Sequence, residues 1–146
     1  MPPVVAISLP GIEQPGYRAY PLVDHVADKV AAILETYGHG RPSTRFRDLV
    51  DLTALVLAIR VRATDQRPAL VSELERRDLQ IPQRFAVPDR ELWEEGFARA
   101  ARRAVGSPAH TLAEALAIVE PFIDPLLVET ANGVWDPRTR GWIATL

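Results

Sequence analysis

The feature that most constrains this chain is a segment that is apolar round nearly its whole circumference. Phe46, Leu49, Val50, Leu52, Leu55, Val56, Leu57 and Ile59 leave no broad polar face on a helix that starts after Pro42 and runs to about Ile59. Such a helix must be surrounded by other elements, so the fold is expected to be mainly α with this helix at its centre. Its remaining polar residues, Thr44, Arg47, Asp48 and Asp51, recur at three- and four-residue intervals and share one narrow strip. Charge inside an otherwise apolar helix is costly unless it is paired or used, which makes this strip the first place to look for chemistry.

The preceding segment has helical spacing as well. Leu22, Val26, Val30, Ile33 and Tyr37 form a stripe, Asp24 and Asp28 suit the positive end of a helix dipole, and Gly38 and Gly40 stop it. Ser43 or Thr44 then suits the cap of the apolar helix. Two helices joined by a short Gly/Pro turn form an antiparallel hairpin. Lys29 lies about 60° from the centre of the first stripe, at the margin of the core. It is the single lysine among 17 Lys and Arg residues. The hairpin can gather Lys29, Asp48 and Asp51 at one rim with Arg45 and Arg47. A lysine beside arginines suits a polyphosphate, as a point charge beside planar donor forks. The same residues can also be ordinary charges, Arg47 and Asp51 a helix-surface ion pair and Lys29, with Asp28 or Glu35, simply solvated, and periodicity alone does not choose.

Downstream, a helix is expected over residues 67–78, ending before Ile81-Pro82. Another runs from Pro88 to Ala104, capped by Asp89, with Leu92, Trp93 and Phe97 inward. Thr111 and Glu114 have capping-box spacing and open a helix to about Glu120, where Pro121 and Pro125 should kink or break the chain. The tail reads as a turn with Trp135 and Trp142 packed back on the body. Residues 3–8, Val-Val-Ala-Ile-Ser-Leu, are the one convincing strand. A lone strand needs partners for its backbone, so residues 1–20 read as a residual strand and loop and residues 21–146 as a helical domain.

Composition narrows the function classes. A hydrophobic fraction of 47% and a charged fraction of 25% are those of a globular domain. There is no cysteine, which removes disulfides and suits a reducing, cytoplasmic setting. No run is long enough to span a bilayer, so no membrane partner is expected. The formal net charge of −2 gives no global attraction for nucleic acid, so any such contact needs a local patch. Arg99, Arg102 and Arg103, with Arg90 nearby, offer one, although Glu94 and Glu95 also fit a plain solvated face. His25, one turn before Lys29, can either assist substrate or serve as an ordinary hydrogen-bonded histidine. His39 and His110 have no ligand spacing around them, and no metal site is expected.

The stretch from Tyr20 to Leu52 resembles the AbiEii/AbiGii nucleotidyltransferase toxins of type IV toxin–antitoxin systems. The likeness rests on Ala19-Tyr-Pro-Leu22, Ala27-Asp-Lys29 and Ser43-Thr-Arg-Phe-Arg-Asp-Leu-Val-Asp-Leu52, and continues more loosely through Leu79-Gln-Ile-Pro82 and Trp93. The resemblance implies a polymerase-β-like fold whose small sheet holds Mg²⁺ and whose helical part completes a nucleoside triphosphate site. It assigns Lys29 to the nucleotide phosphates and Asp51 to orienting substrate or supporting that lysine, with Ser43, Arg45, Arg47 and Asp48 as substrate-binding neighbours. It also implies nucleotide transfer to RNA, tRNA in several cases, a role in phage defence, and a cognate antitoxin. The family's Gly-Ser turn followed by an Asp-x-Asp strand does not occur in this sequence. The chain is therefore expected to be the carboxy-terminal half of such an enzyme, inactive alone, through truncation, decay or a separately encoded amino-terminal half. A non-catalytic helical module binding an antitoxin or RNA is the alternative.

Overall fold

A computed structural model describes residues 21–145. The expected strand at 3–8 and its loop lie outside the described residues. Five helices dominate: α1 (Leu22–Leu34), α2 (Phe46–Val56), α3 (Ala63–Arg76), α4 (Arg90–Arg103) and α5 (Leu112–Leu127). Two short antiparallel hairpins complete the described chain: β1 (Thr36–Tyr37) with β2 (Arg41–Pro42), and β3 (Val134–Asp136) with β4 (Gly141–Ile143). The mainly α expectation holds, whereas the expectation of no further strand does not.

The apolar helix is central, as its sequence requires. α2 packs against α1, α4 and α5, and Leu49, Leu52, Leu55 and Val56 are fully buried. Each such side chain contributes about 1.5–3 kcal/mol by leaving water. α3 lies against α1, the most extensive helix pair in the fold.

Several boundaries differ from those expected, each for a local reason. α1 ends at Leu34 rather than Tyr37, because Thr36 and Tyr37 pair with Pro42 and Arg41 across the Gly38-His39-Gly40 turn. His39 and Gly40 take positive φ there, a conformation glycine adopts without cost. Neither Ser43 nor Thr44 caps α2. Arg45 occupies the cap position with no side-chain cap bond, and the Ser43 hydroxyl instead donates to the Ile33 carbonyl at 2.6 Å. Ser43 thus satisfies a carbonyl left open at the end of α1.

α3 starts at Ala63, four residues before the expected start, with Pro68 inside it. Pro68 and Thr64, whose carbonyl loses its helical donor, are both exposed, so water can satisfy that carbonyl. α5 likewise continues through Pro121 and Pro125 to Leu127. Ala117 and Pro121 lie on its exposed side, while Phe122, Ile123, Leu126 and Leu127 on the other side are buried. Burying those four side chains contributes about 6–12 kcal/mol at the usual rate, comparable with or above a cost of about 3 kcal/mol for each proline. The tail forms the β3–β4 hairpin. Trp135 sits edge-on to Phe122 with ring centres 5.0 Å apart, and Trp142 stacks on Phe122 at 5.3 Å. In α4, Trp93 and Phe97 are buried, but Leu92 is exposed, contrary to its expected inward position.

Candidate functional site: a five-charge cluster on the helical hairpin

The antiparallel hairpin places the middle of α1 against the first turns of α2. Lys29 comes from the former; Asp48 and Asp51, one turn apart, come from the latter. The Lys29 ammonium bridges both carboxylates, with Nζ 3.2 Å from Asp48 Oδ1 and 3.1 Å from Asp51 Oδ2. Arg45 Nε lies 2.6 Å from Asp48 Oδ2, and Arg47 Nε lies 3.2 Å from Asp51 Oδ1. The five groups form a row, Arg45–Asp48–Lys29–Asp51–Arg47, with three positive and two negative charges. Its formal sum is +1.

Burial grades along the row. The Lys29 side chain is 12% exposed, whereas those of Arg45 and Arg47 are 46% and 57% exposed. Both arginines direct Nε to a carboxylate while about half of each side chain is exposed to solvent. The row also lies at the amino-terminal end of α2, where unpaired backbone donors favour negative charge.

Packing from α4 fixes that end of α2. Trp93 Nε1 donates to the Ser43 carbonyl at 2.9 Å, and the Phe46 ring meets Trp93 edge-on at 4.8 Å. Phe46 lies so close over Gly96 that a Cβ there would overlap its ring. The segment Ser43–Phe46 is therefore held against α4 just before the charged row begins.

Of the residues the sequence singles out, Lys29, Asp48, Asp51, Arg45 and Arg47 come together as one cluster. Ser43 is adjacent in sequence but buried beneath it, with its hydroxyl on Ile33 and its carbonyl on Trp93. His39 and His110 are exposed. Arg99, Arg102 and Arg103 are exposed on the last turns of α4. Arg90 pairs with Glu94 at 3.2 Å.

A second charged cluster was not legible as a unit in the sequence. Arg77, at the end of α3, binds Asp28 and Glu35 of the α1 region, each at 2.6 Å, and Glu73 at 3.0 Å. Burial would lower the Arg77 pKa, but hydrogen bonds to Glu73 and Glu35 and the charges of Asp28 and Glu35 outweigh it and raise the value. Burial also tends to raise Glu73. Hydrogen bonds from Arg76 and Arg77, with their charges, overcome this and hold its carboxyl below its ordinary value of 4.5. The signal available was the seven-residue spacing of Asp28 in α1 and Glu35 just after it, which corresponds to about two helical turns.

The described residues do not fit a Mg²⁺ site. All four carboxylate oxygens of Asp48 and Asp51 already face a cationic nitrogen, and no group of three or more His, Cys, Asp or Glu could hold an ion among these residues. They do fit an anion, through the net positive row and its exposed arginine edges.

A mainly helical domain with a charged row on its central hairpin is the class that fold and site define. Residues 1–122 match the family described as nucleotidyl transferase AbiEii toxin, type IV TA system, and the chain belongs to that family. The family is one of nucleotidyltransferase toxins, and a type IV toxin–antitoxin system implies an antitoxin partner. Nucleotidyl transfer generally depends on Mg²⁺ and a nucleoside triphosphate. Neither a curated protein nor a solved structure matches the chain. No helix among the described residues is long and apolar enough to cross a membrane.

Proposed function

We propose that this chain supplies the triphosphate-binding face of a cytoplasmic nucleotidyltransferase toxin that adds nucleotides to RNA, with tRNA as the favoured acceptor. The observation that carries this reading is the Arg45–Asp48–Lys29–Asp51–Arg47 row, cationic in sum and open toward solvent at both ends. In this reading the terminal nitrogens of Arg45 and Arg47 take phosphate oxygens as forked donors. Lys29 supplies a positive charge at the centre of the row. Asp48 and Asp51 orient that ammonium, since each presents one oxygen to it. The carboxylates that hold Mg²⁺ come from outside the described residues, on a polymerase-β-like sheet or a separately encoded amino-terminal half. When bound, the metal would polarise the phosphoryl oxygens and activate the attacking hydroxyl. Arg99, Arg102 and Arg103 offer exposed cations for the acceptor backbone.

The test measures nucleotide binding by thermal shift and by titration with ATP, GTP, CTP and UTP, for the wild type and Lys29→Ala. The wild type should be stabilised by at least one nucleotide, with affinity falling about ten-fold or more in the variant when one charge-assisted contact is lost. Co-expression with a Gly-Ser…Asp-x-Asp segment should then give Mg²⁺-dependent transfer of labelled nucleotide to tRNA. A wild type indifferent to all four nucleotides would sink the proposal. The second reading, a non-catalytic helical module that binds an antitoxin or RNA, draws on the complete pairing of the Asp48 and Asp51 oxygens. It predicts partner binding without any nucleotide response.

A further inference from the structure

The Arg77 cluster lies outside the charged row, yet it grips the helix that carries Lys29. Arg77 occupies the position just after α3, and its guanidinium uses three different nitrogens on three carboxylates: Nη2 on Asp28, Nη1 on Glu35 and Nε on Glu73. Its side chain is 19% exposed, so the pairing is partly shielded from solvent. Asp28 and Glu35 lie seven residues apart, about two helical turns, so one guanidinium fastens a stripe roughly 10 Å long.

Asp28 precedes Lys29 directly, which sets their side chains about 100° apart around α1. α1 is consequently tied on two faces. The ionic tie to α3 runs from Asp28 and Glu35 to Arg77, beside the Gln66 bond to the Val23 carbonyl; the ionic tie to α2 runs from Lys29 to Asp48 and Asp51. A cylinder tied at one angle can roll, but one tied at two angles cannot roll without breaking a tie. The apolar contacts between α1 and α3 resist separation of the helices more than they resist rolling, because they are non-directional. Directional, charge-assisted bonds fix the roll angle.

We infer that Arg77 is a positioning residue: it sets the roll of α1 and thereby aims the Lys29 ammonium between Asp48 and Asp51. The geometric part is independent of the function proposed above, whereas its consequence for phosphate binding rests on that reading.

Lys29 is the single lysine of the chain, so its side-chain nitrogen gives one distinct lysine resonance in an ¹⁵N-labelled sample. Two ways of releasing the tie are compared with a control. Arg77→Ala removes the guanidinium. Asp28→Ala with Glu35→Ala removes both acceptors on the α1 side while leaving Arg77 paired with Glu73, an independent release of the tie should Arg77→Ala not fold. Arg67→Ala is the control, since Arg67 ties α3 to the Leu126 carbonyl of α5 and to Glu129, not to α1. The Lys29 resonance should shift or broaden in the released variants, well below their melting temperatures, and stay in place in the control. An unmoved resonance in the double variant, or an equal movement in Arg67→Ala, overturns the inference.

A second arm titrates inorganic triphosphate. Its affinity should fall about ten-fold on release, and release should have no further effect once Lys29 is alanine, the signature of two residues acting through one. An equal loss in the Lys29→Ala background means that Arg77 does not act through Lys29. If the wild type binds no triphosphate, the proposed function fails, while the resonance still decides the positioning role.

Discussion

Gly96 shows how one missing side chain shapes the neighbourhood of the charged row. By helix propensity alone, Gly96→Ala should stabilise α4 by about 1 kcal/mol. The structure reverses the sign. A Cβ there would overlap the Phe46 ring, which is already packed edge-on against Trp93 and starts α2 two residues before Asp48. Overpacking of this kind costs about 1–3 kcal/mol. Gly96→Ala is expected to lower stability in a urea titration and to weaken nucleotide binding together. A variant as stable as the wild type would show that Phe46 yields freely. Lys29, Asp48 and Asp51 could be singled out from sequence because helical spacing and burial cost act within one segment. The part played by Gly96 could not, since the residue that excludes a side chain there lies fifty positions away.

Elements were legible where their signals are local. The Thr111–Glu114 capping box is present as expected: the Thr111 hydroxyl accepts from the Glu114 N–H at 3.1 Å, and the Glu114 carboxylate accepts from the Thr111 N–H at 3.3 Å. A further bond from the His110 N–H at 2.7 Å helps hold Glu114 below its ordinary pKa. Thr111→Ala should therefore cost about 1 kcal/mol, or about 2–4 °C in melting temperature for a domain of this size. Thr111→Ser, which keeps the acceptor, should recover most of the loss by calorimetry. Element ends set by tertiary contacts were less legible. Pro121 and Pro125 read as breakers, yet α5 passes through them because its apolar side is needed in the core. Tyr37 fits the stripe of α1 by period, yet it leaves the helix to pair with Arg41. In each case a local preference of a few kcal/mol is set against burial or pairing that extends over several residues.

Across the whole molecule, two acids, Glu73 and Glu120, couple stability to pH in opposite directions. Glu73 has a lowered folded pKa, so its contribution is complete above its ordinary 4.5 and is lost as pH falls through the folded value. The difference in melting temperature between wild type and Glu73→Gln should thus be widest at neutral pH and close between pH 4.5 and more acidic conditions. Glu120 is the reverse. Burial, and then the charge of Asp124, raise its pKa, so its ionised form opposes folding at neutral pH and the penalty lifts as pH falls through the raised value. Glu120→Gln should accordingly melt higher than the wild type at pH 7, with the advantage shrinking in acid. Thermal melts across that range check both signs, and parallel curves for either variant would contradict its assignment.

By itself the sequence determined that a central apolar helix would be enclosed by others, that Lys29, Asp48 and Asp51 lay within reach of one rim, and to which family the likeness pointed. Periodicity, capping and charge cost operate over a few residues, and a contiguous motif is read without knowing its surroundings. Only the tertiary structure decided that Lys29 bridges both aspartates with Arg45 and Arg47 on their outer oxygens, that Ser43 turns inward to Ile33, and that Arg77 fastens α1 from α3. Those outcomes depend on which helix faces which, and at what roll. The roll is fixed by directional contacts between residues as far apart as Asp28 and Arg77, a pair that no local spacing links along the chain.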